Sequence, residues 1–330
     1  MKALVTGGGG FLGRAIVRQL QARGDMVRIL ARSEYPELLK NGVECMRGDI
    51  SDAQATIAAC QGMDAVFHVA AKAGVWGAYS DFHEANVVGT QNIIDACRKN
   101  KVPRLIHTST PSVVYNGHPL ANANETLPLT TRCPCAYPLT KAEAERRVIA
   151  ANNDALKTVA IRPHLIWGEG DNHLVPRVVA QAKAGKLRIV GDGLNRVDLT
   201  HVENAAHAHL LAHDSIATSS VACGQAYFVS DNAPVILWDW INALLDQLEV
   251  PRVSRTISLN GAKSIGAIAE MLWTLFPFKG EPPMTRFVAV ELAKDHWFDI
   301  SAIKRDLGYS PVLSPMDGLA ALVKSLKQPV

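Results

Sequence analysis

Seven residues near the start of the chain, Gly7-Gly8-Gly9-Gly10-Phe11-Leu12-Gly13, stand between a short apolar run and a stretch of helical periodicity. Met1–Thr6 reads MKALVT and predicts a strand. Beyond the glycines, Ile16, Val17 and Leu20 fall at helical spacing until Gly24 ends the pattern. Strand, glycine turn and helix in that order make the first unit of a dinucleotide-binding fold. Gly7 suits the tight turn, Gly10 the approach of a pyrophosphate to the backbone, and Gly13 the close packing of helix on strand. Phe11 and Leu12 open the helix, whose free N–H groups and dipole favour phosphate. Four glycines alone could be only a flexible turn; the flanking strand and helix favour cofactor binding.

The remaining sequence continues the pattern. Val27–Ala31 predicts a second strand with Arg32-Ser33 at its end. An acidic residue about twenty positions beyond the glycines would hold a ribose 2′-hydroxyl, whereas an arginine can pair with a 2′-phosphate. Arg32 stands there with no Asp or Glu at the strand end, which favours NADP(H) over NAD(H); a solvated surface arginine is the alternative. Val43–Gly48 predicts a third strand, with Asp49-Ile50 as contacts for the adenine end. Asp64–Ala71 predicts a fourth, running into Lys72. Small residues at Ala70, Ala71, Ala73 and Gly74 let backbone lie against a cofactor. Phe82–Asn100 reads as one long helix. The alternation predicts an α/β fold, a parallel sheet covered on both faces.

A chain of 330 residues with a net charge of +3 is large enough for one large or two joined domains and shows no bias toward nucleic acid. No secretion signal is recognised, and six scattered cysteines lack zinc-ribbon spacing, so a reducing, cytoplasmic setting is expected.

Two segments carry the chemistry. The fifth strand, Arg104–Thr108, ends in Ser109-Thr110-Pro111-Ser112, whose hydroxyls should face the crevice. Downstream, Tyr137-Pro-Leu-Thr-Lys141 opens a helical stretch, and residues four apart share a helix face. A tyrosine can give its proton to a carbonyl oxygen as hydride arrives, and a nearby ammonium would lower the phenol from about 10. Thr110, or alternatively Ser109, would polarise that oxygen.

The set Thr6-Gly7-x-x-Gly10-x-x-Gly13, Ser109-Thr110 and Tyr137-x-x-x-Lys141 resembles the extended short-chain dehydrogenase/reductases, in the 3β-hydroxysteroid-dehydrogenase-like branch. The resemblance implies a Rossmann doubly wound parallel sheet with a smaller C-terminal substrate-binding region. It implies Thr110, Tyr137 and Lys141 as catalytic trio, with Lys141 also at the nicotinamide ribose, Asn86 in support, and Arg162-Pro163 beside the nicotinamide carboxamide. Segments 70–79, 86–90, 108–113, 165–177, 191–198 and 280–287 resemble a bacterial subgroup acting in long-chain olefin biosynthesis. That implies NADPH-dependent, reversible reduction of a lipophilic 2-alkyl-3-oxo acid to its 3-hydroxy acid, alongside other enzymes of the route. Helices 82–100 and 137–152 resemble those of a family dimer interface, implying a homodimer.

The expected boundaries are 1–165 for the NADP-binding domain and 166–330 for the substrate region, with 191–212 returning to the first. His201, His207, His209 and His213 read as solvated helix histidines rather than metal ligands. Arg196 and Arg286 are candidates for a substrate carboxylate. Residues 261–278 read as a pocket lid or wall, a helix making peripheral membrane contact, or a core helix. A steroid or sterol dehydrogenase, a sugar-nucleotide epimerase and a non-catalytic NADP(H) sensor are the rival readings.

Overall fold

Short apolar strands alternating with helices fold as expected in the computed structural model, which describes residues 1–276 and 278–327. The strands are β1 (Lys2–Thr6), β2 (Met26–Ala31), β3 (Glu44–Arg47), β4 (Ala65–His68), β5 (Arg104–Thr108), β6 (Lys157–Pro163) and β7 (Gln225–Val229). They pair in the order β7-β6-β5-β4-β1-β2-β3, all parallel. The order reverses between β1 and β4, which places the ligand crevice at their carboxyl ends.

Successive side chains of a strand point to opposite faces, and both faces are covered. Ala3, Val5, Phe67 and Ile106 pack with α1 (Phe11–Ala22) and, from much later in the chain, the helix Val202–Thr218. Leu4, Val66 and Leu105 pack against α2 (Ala53–Cys60), α3 (Gly89–Asn100) and α4 (Ala136–Ala150).

The stretch expected as one helix over 82–100 is broken. A short helix, Tyr79–His83, passes through a π-helical turn at Glu84–Val88 before α3 begins. Such turns insert a residue and rotate the next stretch of helix, and they recur at functional sites.

The return to the main sheet lies later than expected. Val197 belongs to a second core built on Trp167, Val190, Trp238 and Leu244. A four-stranded sheet beside it joins Val235–Ile236, Arg196–Val197, His296–Phe298 and Leu120–Ala123. The chain rejoins the main sheet through α5 (Val202–Thr218) and β7, because Tyr227-Phe228-Val229 supply a fully apolar edge for β6.

The histidines of α5 and of its N-cap, His201, are a correction. His201, His209 and His213 are buried, and only His207 is partly open. Because α5 is wedged between α1 and the strands β5 and β6, Asn204, His209 and His213 turn inward. His209 bonds the Thr108 hydroxyl (2.8 Å) and the Ala205 carbonyl (2.7 Å), and His213 meets Asp214 (2.8 Å).

Candidate active site

The glycine loop leaves β1 through Gly7 at φ +67°, a left-handed conformation that favours glycine. Gly7 lies against Ala70 at the end of β4, and a methyl on Gly13 would overlap the Gly7 carbonyl oxygen. Gly10 caps α1 without any side-chain bond, so the N–H groups of Phe11, Leu12 and Gly13 are left for a ligand. A loop with room only for glycine, ending on an uncapped helix, fits the pyrophosphate of a dinucleotide.

Tyr35, unremarked in the sequence, lies over this loop. A methyl on Gly9 would run into its ring, and the Arg14 guanidinium sits 5.4 Å from the ring centre. Arg32 and Ser33 are exposed at the end of β2, and no ion pair holds Arg32 among the described residues. The Asp49 carboxylate accepts bonds from the N–H and hydroxyl of Ser51 (both 2.9 Å), and Ile50 is buried beneath Gly89.

A buried hydrogen-bond chain joins the cofactor side to the catalytic helix. Thr6 Oγ1 accepts the N–H groups of Val69 (3.1 Å) and Ala70 (3.2 Å) and donates to His68 Nδ1 (2.8 Å). His68 Nε2 then donates to Thr90 Oγ1 (3.0 Å), which donates to the Asn86 carbonyl (2.6 Å). This tautomer requires a neutral ring, and burial pushes His68 down to about 3, with Lys141 adding to the shift. Asn86, inside the π turn, clamps Lys72: its Oδ1 accepts the Lys72 N–H (2.7 Å), and its Nδ2 donates to the Lys72 carbonyl (3.0 Å) and to Thr140 Oγ1 (3.1 Å). The Lys72 ammonium itself goes to Asp81 (2.8 Å), so only its backbone faces the crevice.

Tyr137, Lys141 and Glu145 follow one another at i+4 along α4. Burial pushes the Tyr137 phenol up to about 12; the Thr110 hydroxyl opposes the shift and Cys135 adds to it. The Lys141 ammonium is directed toward the end of β5. It donates to the Thr108 carbonyl (2.7 Å) and to His107 Nε2 (3.3 Å). Burial presses Lys141 down to about 8, against the pull of Glu145. With Nε2 accepting, His107 carries its proton on Nδ1, a buried donor without a partner among the described residues.

Ser109 does not compete with Thr110. Its hydroxyl donates to Glu145 (2.5 Å), the carboxylate that also receives Arg162 through Nε (2.9 Å) and Nη2 (2.5 Å). The Arg162 guanidinium is thus committed to a buried pair and lies over the Phe228 ring at 4.9 Å. Its Nη1 is left as a buried donor without a partner among the described residues. Glu145 was readable from the i+4 spacing, and His68 with His107 from their paired places on β4 and β5; Tyr35 carried no signal in the sequence.

Beside Tyr137 lies an apolar wall of Val75, Tyr115, Cys133, Cys135, Phe287 and Val288. Neither candidate for a substrate carboxylate is free in it. Arg286 pairs with Glu270 (2.6 Å), and Arg196 stacks on Trp297 and lines a separate groove with Leu194, Asp239 and Trp240.

Comparison with known proteins agrees with this fold. The model of the 3-beta hydroxysteroid dehydrogenase/isomerase family matches residues 4–260. The chain is 49% identical to the 2-alkyl-3-oxoalkanoate reductase of Stenotrophomonas maltophilia, covering 98% of this chain and 99% of that protein. The corresponding reductase of Shewanella oneidensis is 43% identical over 98% of this chain and 86% of its own. Among solved structures, the dTDP-glucose 4,6-dehydratase DesIV of Streptomyces venezuelae, crystallised with NAD, superposes with a TM-score of 0.77 at 25% identity, covering 99% of this chain and 97% of that one.

Proposed function

Because the chain belongs to the 3-beta hydroxysteroid dehydrogenase/isomerase family, we propose that it reduces a 2-alkyl-3-oxoalkanoic acid to the 3-hydroxy acid with NADPH, reversibly. The observation that carries the reading is Tyr137: a phenol that keeps its proton at neutral pH, beside the Thr110 hydroxyl and against an apolar wall. In the reducing direction it donates that proton to the carbonyl oxygen, and Thr110 polarises the same oxygen by hydrogen bonding. Lys141 keeps a positive charge behind the site through the Thr108 carbonyl. The cofactor, which supplies the hydride, would be held by Gly7, Gly10, Phe11, Leu12 and Gly13 at its pyrophosphate. Arg32 and Ser33 would take its 2′-phosphate, Asp49 and Ile50 its adenine end, and the backbone of Ala70, Ala71, Lys72, Arg162 and Pro163 the rest.

The names of the two reductases support the substrate class, and the apolar wall suits alkyl chains better than a sugar diphosphate. A place in cytoplasmic long-chain olefin biosynthesis, and work alongside its other enzymes, rest on the sequence resemblance alone. So does a homodimer through the helices 82–100 and 137–152, which light scattering would test. The reaction is tested by NADP⁺ reduction with a 2-alkyl-3-hydroxy fatty acid, a 3β-hydroxysteroid and a UDP-sugar, each repeated with NAD⁺. Turnover of the hydroxy acid with NADP⁺ preferred is expected. Turnover of the steroid alone would keep the chemistry and reject the substrate.

A further inference from the structure

Helix α6 (Leu259–Leu275) is built inside out. Its inward positions carry Ala262, Gly266, Ala269 and the paired Glu270, and a methyl on Gly266 would come within 2.7 Å of the Thr285 backbone. Its outward positions carry Ile265, Ile268, Met271 and Leu275, and the stripe continues through Phe276 and Phe278; these six are 49% to 67% exposed. An ordinary surface helix buries its large apolar residues and exposes the small ones. A contiguous apolar face of this kind on a monomer marks an interaction site.

The charges around the face identify its partner. Both carboxylates of this region are already neutralised: Glu270 by Arg286, and Glu281 by Arg177 (2.7 Å) and the Val75 N–H (3.0 Å). Lys263 and Lys279, at either end of the stripe, have no ion pair among the described residues. An apolar strip with aromatic rings at one end and unpaired lysines at its borders matches an anionic lipid surface. No helix among the described residues is long and apolar enough to cross a membrane, so the contact is peripheral. The helix that carries the face also borders the site. Leu259, the first residue of α6, packs with Tyr115, Tyr137 and Phe287, and Glu281 closes the loop at Gly74-Val75.

We propose that α6, with Phe276 and Phe278, seats this protein on an anionic phospholipid surface beside its catalytic pocket. The inference goes beyond the proposed reaction and stands without it, since vesicle binding is read without substrate.

The test is co-flotation of the full chain with vesicles of phosphatidylcholine, with and without phosphatidylglycerol. Binding to the anionic vesicles is expected. Ile268→Ser/Phe276→Ser/Phe278→Ser should abolish it, and Lys263→Gln/Lys279→Gln should weaken it on the order of ten-fold. Melting temperature and NADPH affinity, measured in parallel, should match the parent, since none of these side chains is buried or in the site. Absence of parent binding to anionic vesicles would overturn the proposal, as would undiminished binding by the serine variant. So would a dimer lost in the serine variant while the parent ignores vesicles, because the face would then belong to a second copy.

Discussion

Glu145→Gln separates the structural and chemical duties of one buried carboxylate. Its side chain and that of Arg162 are 1% and 4% exposed, and the carboxylate takes two bonds from the guanidinium and one from Ser109. The isosteric amide keeps the volume but leaves a buried cation uncompensated, a change that costs about 3–5 kcal/mol. With an unfolding entropy of about 2.1 cal/mol/K per residue, a chain of this length should melt about 4–7 °C lower. Glu145 also opposes the burial that presses Lys141 down to about 8. Without it the ammonium loses its proton at lower pH, and the alkaline limb of reductase activity moves the same way. Scanning calorimetry and a pH profile of NADPH oxidation read the two effects. Replacing both partners, Glu145→Met/Arg162→Met, should recover most of the stability, because no unpaired charge remains, while the shifted limb persists. An unchanged melting temperature in Glu145→Gln would refute the energetic argument, and an unmoved limb would remove Glu145 from the control of Lys141.

Other variants probe the rest of the site. Tyr137→Phe should lower turnover by about 10²–10⁴-fold with NADPH binding retained, as seen by fluorescence titration; near-normal turnover would take the phenol out of the mechanism. Gly13→Ala should displace the Gly7 carbonyl and weaken cofactor binding while the rest of the sheet still folds, a comparison that circular dichroism and titration make together. Arg32→Ala should reduce the NADPH-over-NADH preference by about 10–100-fold, the worth of a charge-assisted hydrogen bond; an unchanged ratio of kcat/KM values would leave Arg32 a surface residue. His209 is held by burial at about 4 in the folded protein against 6.5 as its ordinary value. The unfolded chain therefore binds the extra proton first, and stability falls as pH drops from 6.5 toward 4. His209→Gln should flatten that part of a denaturant-midpoint profile.

The features legible in the sequence were those set by local periodicity. Gly7 to Gly13, the five early strands and Tyr137 with Lys141 stand where the spacing put them, because strand alternation and the i+4 rule act over a few residues. What escaped depends on contacts distant in sequence. The α5 histidines read as solvated, yet α1 and the sheet enclose their helix from both sides. The bonds of Lys141 to a carbonyl and a histidine join residues thirty-odd positions apart, beyond the reach of helical spacing. The pair between the Arg162 side chain and Glu145 likewise joins a strand to a helix seventeen positions away. For residues 261–278, composition left lid, core and membrane open; the burial pattern of α6 removed the core alternative, and Pro277 lies outside the described residues.

The hydrogen-bonded chain from Thr6 through His68, Thr90 and Asn86 to Lys72 and Thr140 has a bearing on how such enzymes diversify. It fastens the proton-donating half of the crevice to the sheet, so that exchanging any link disturbs several elements at once. None of the side chains of the facing wall, from Val75 to Phe287 and Val288, is one of those links. New substrates can therefore be acquired by redrawing that wall alone, residue by residue, while the reacting groups stay where they are.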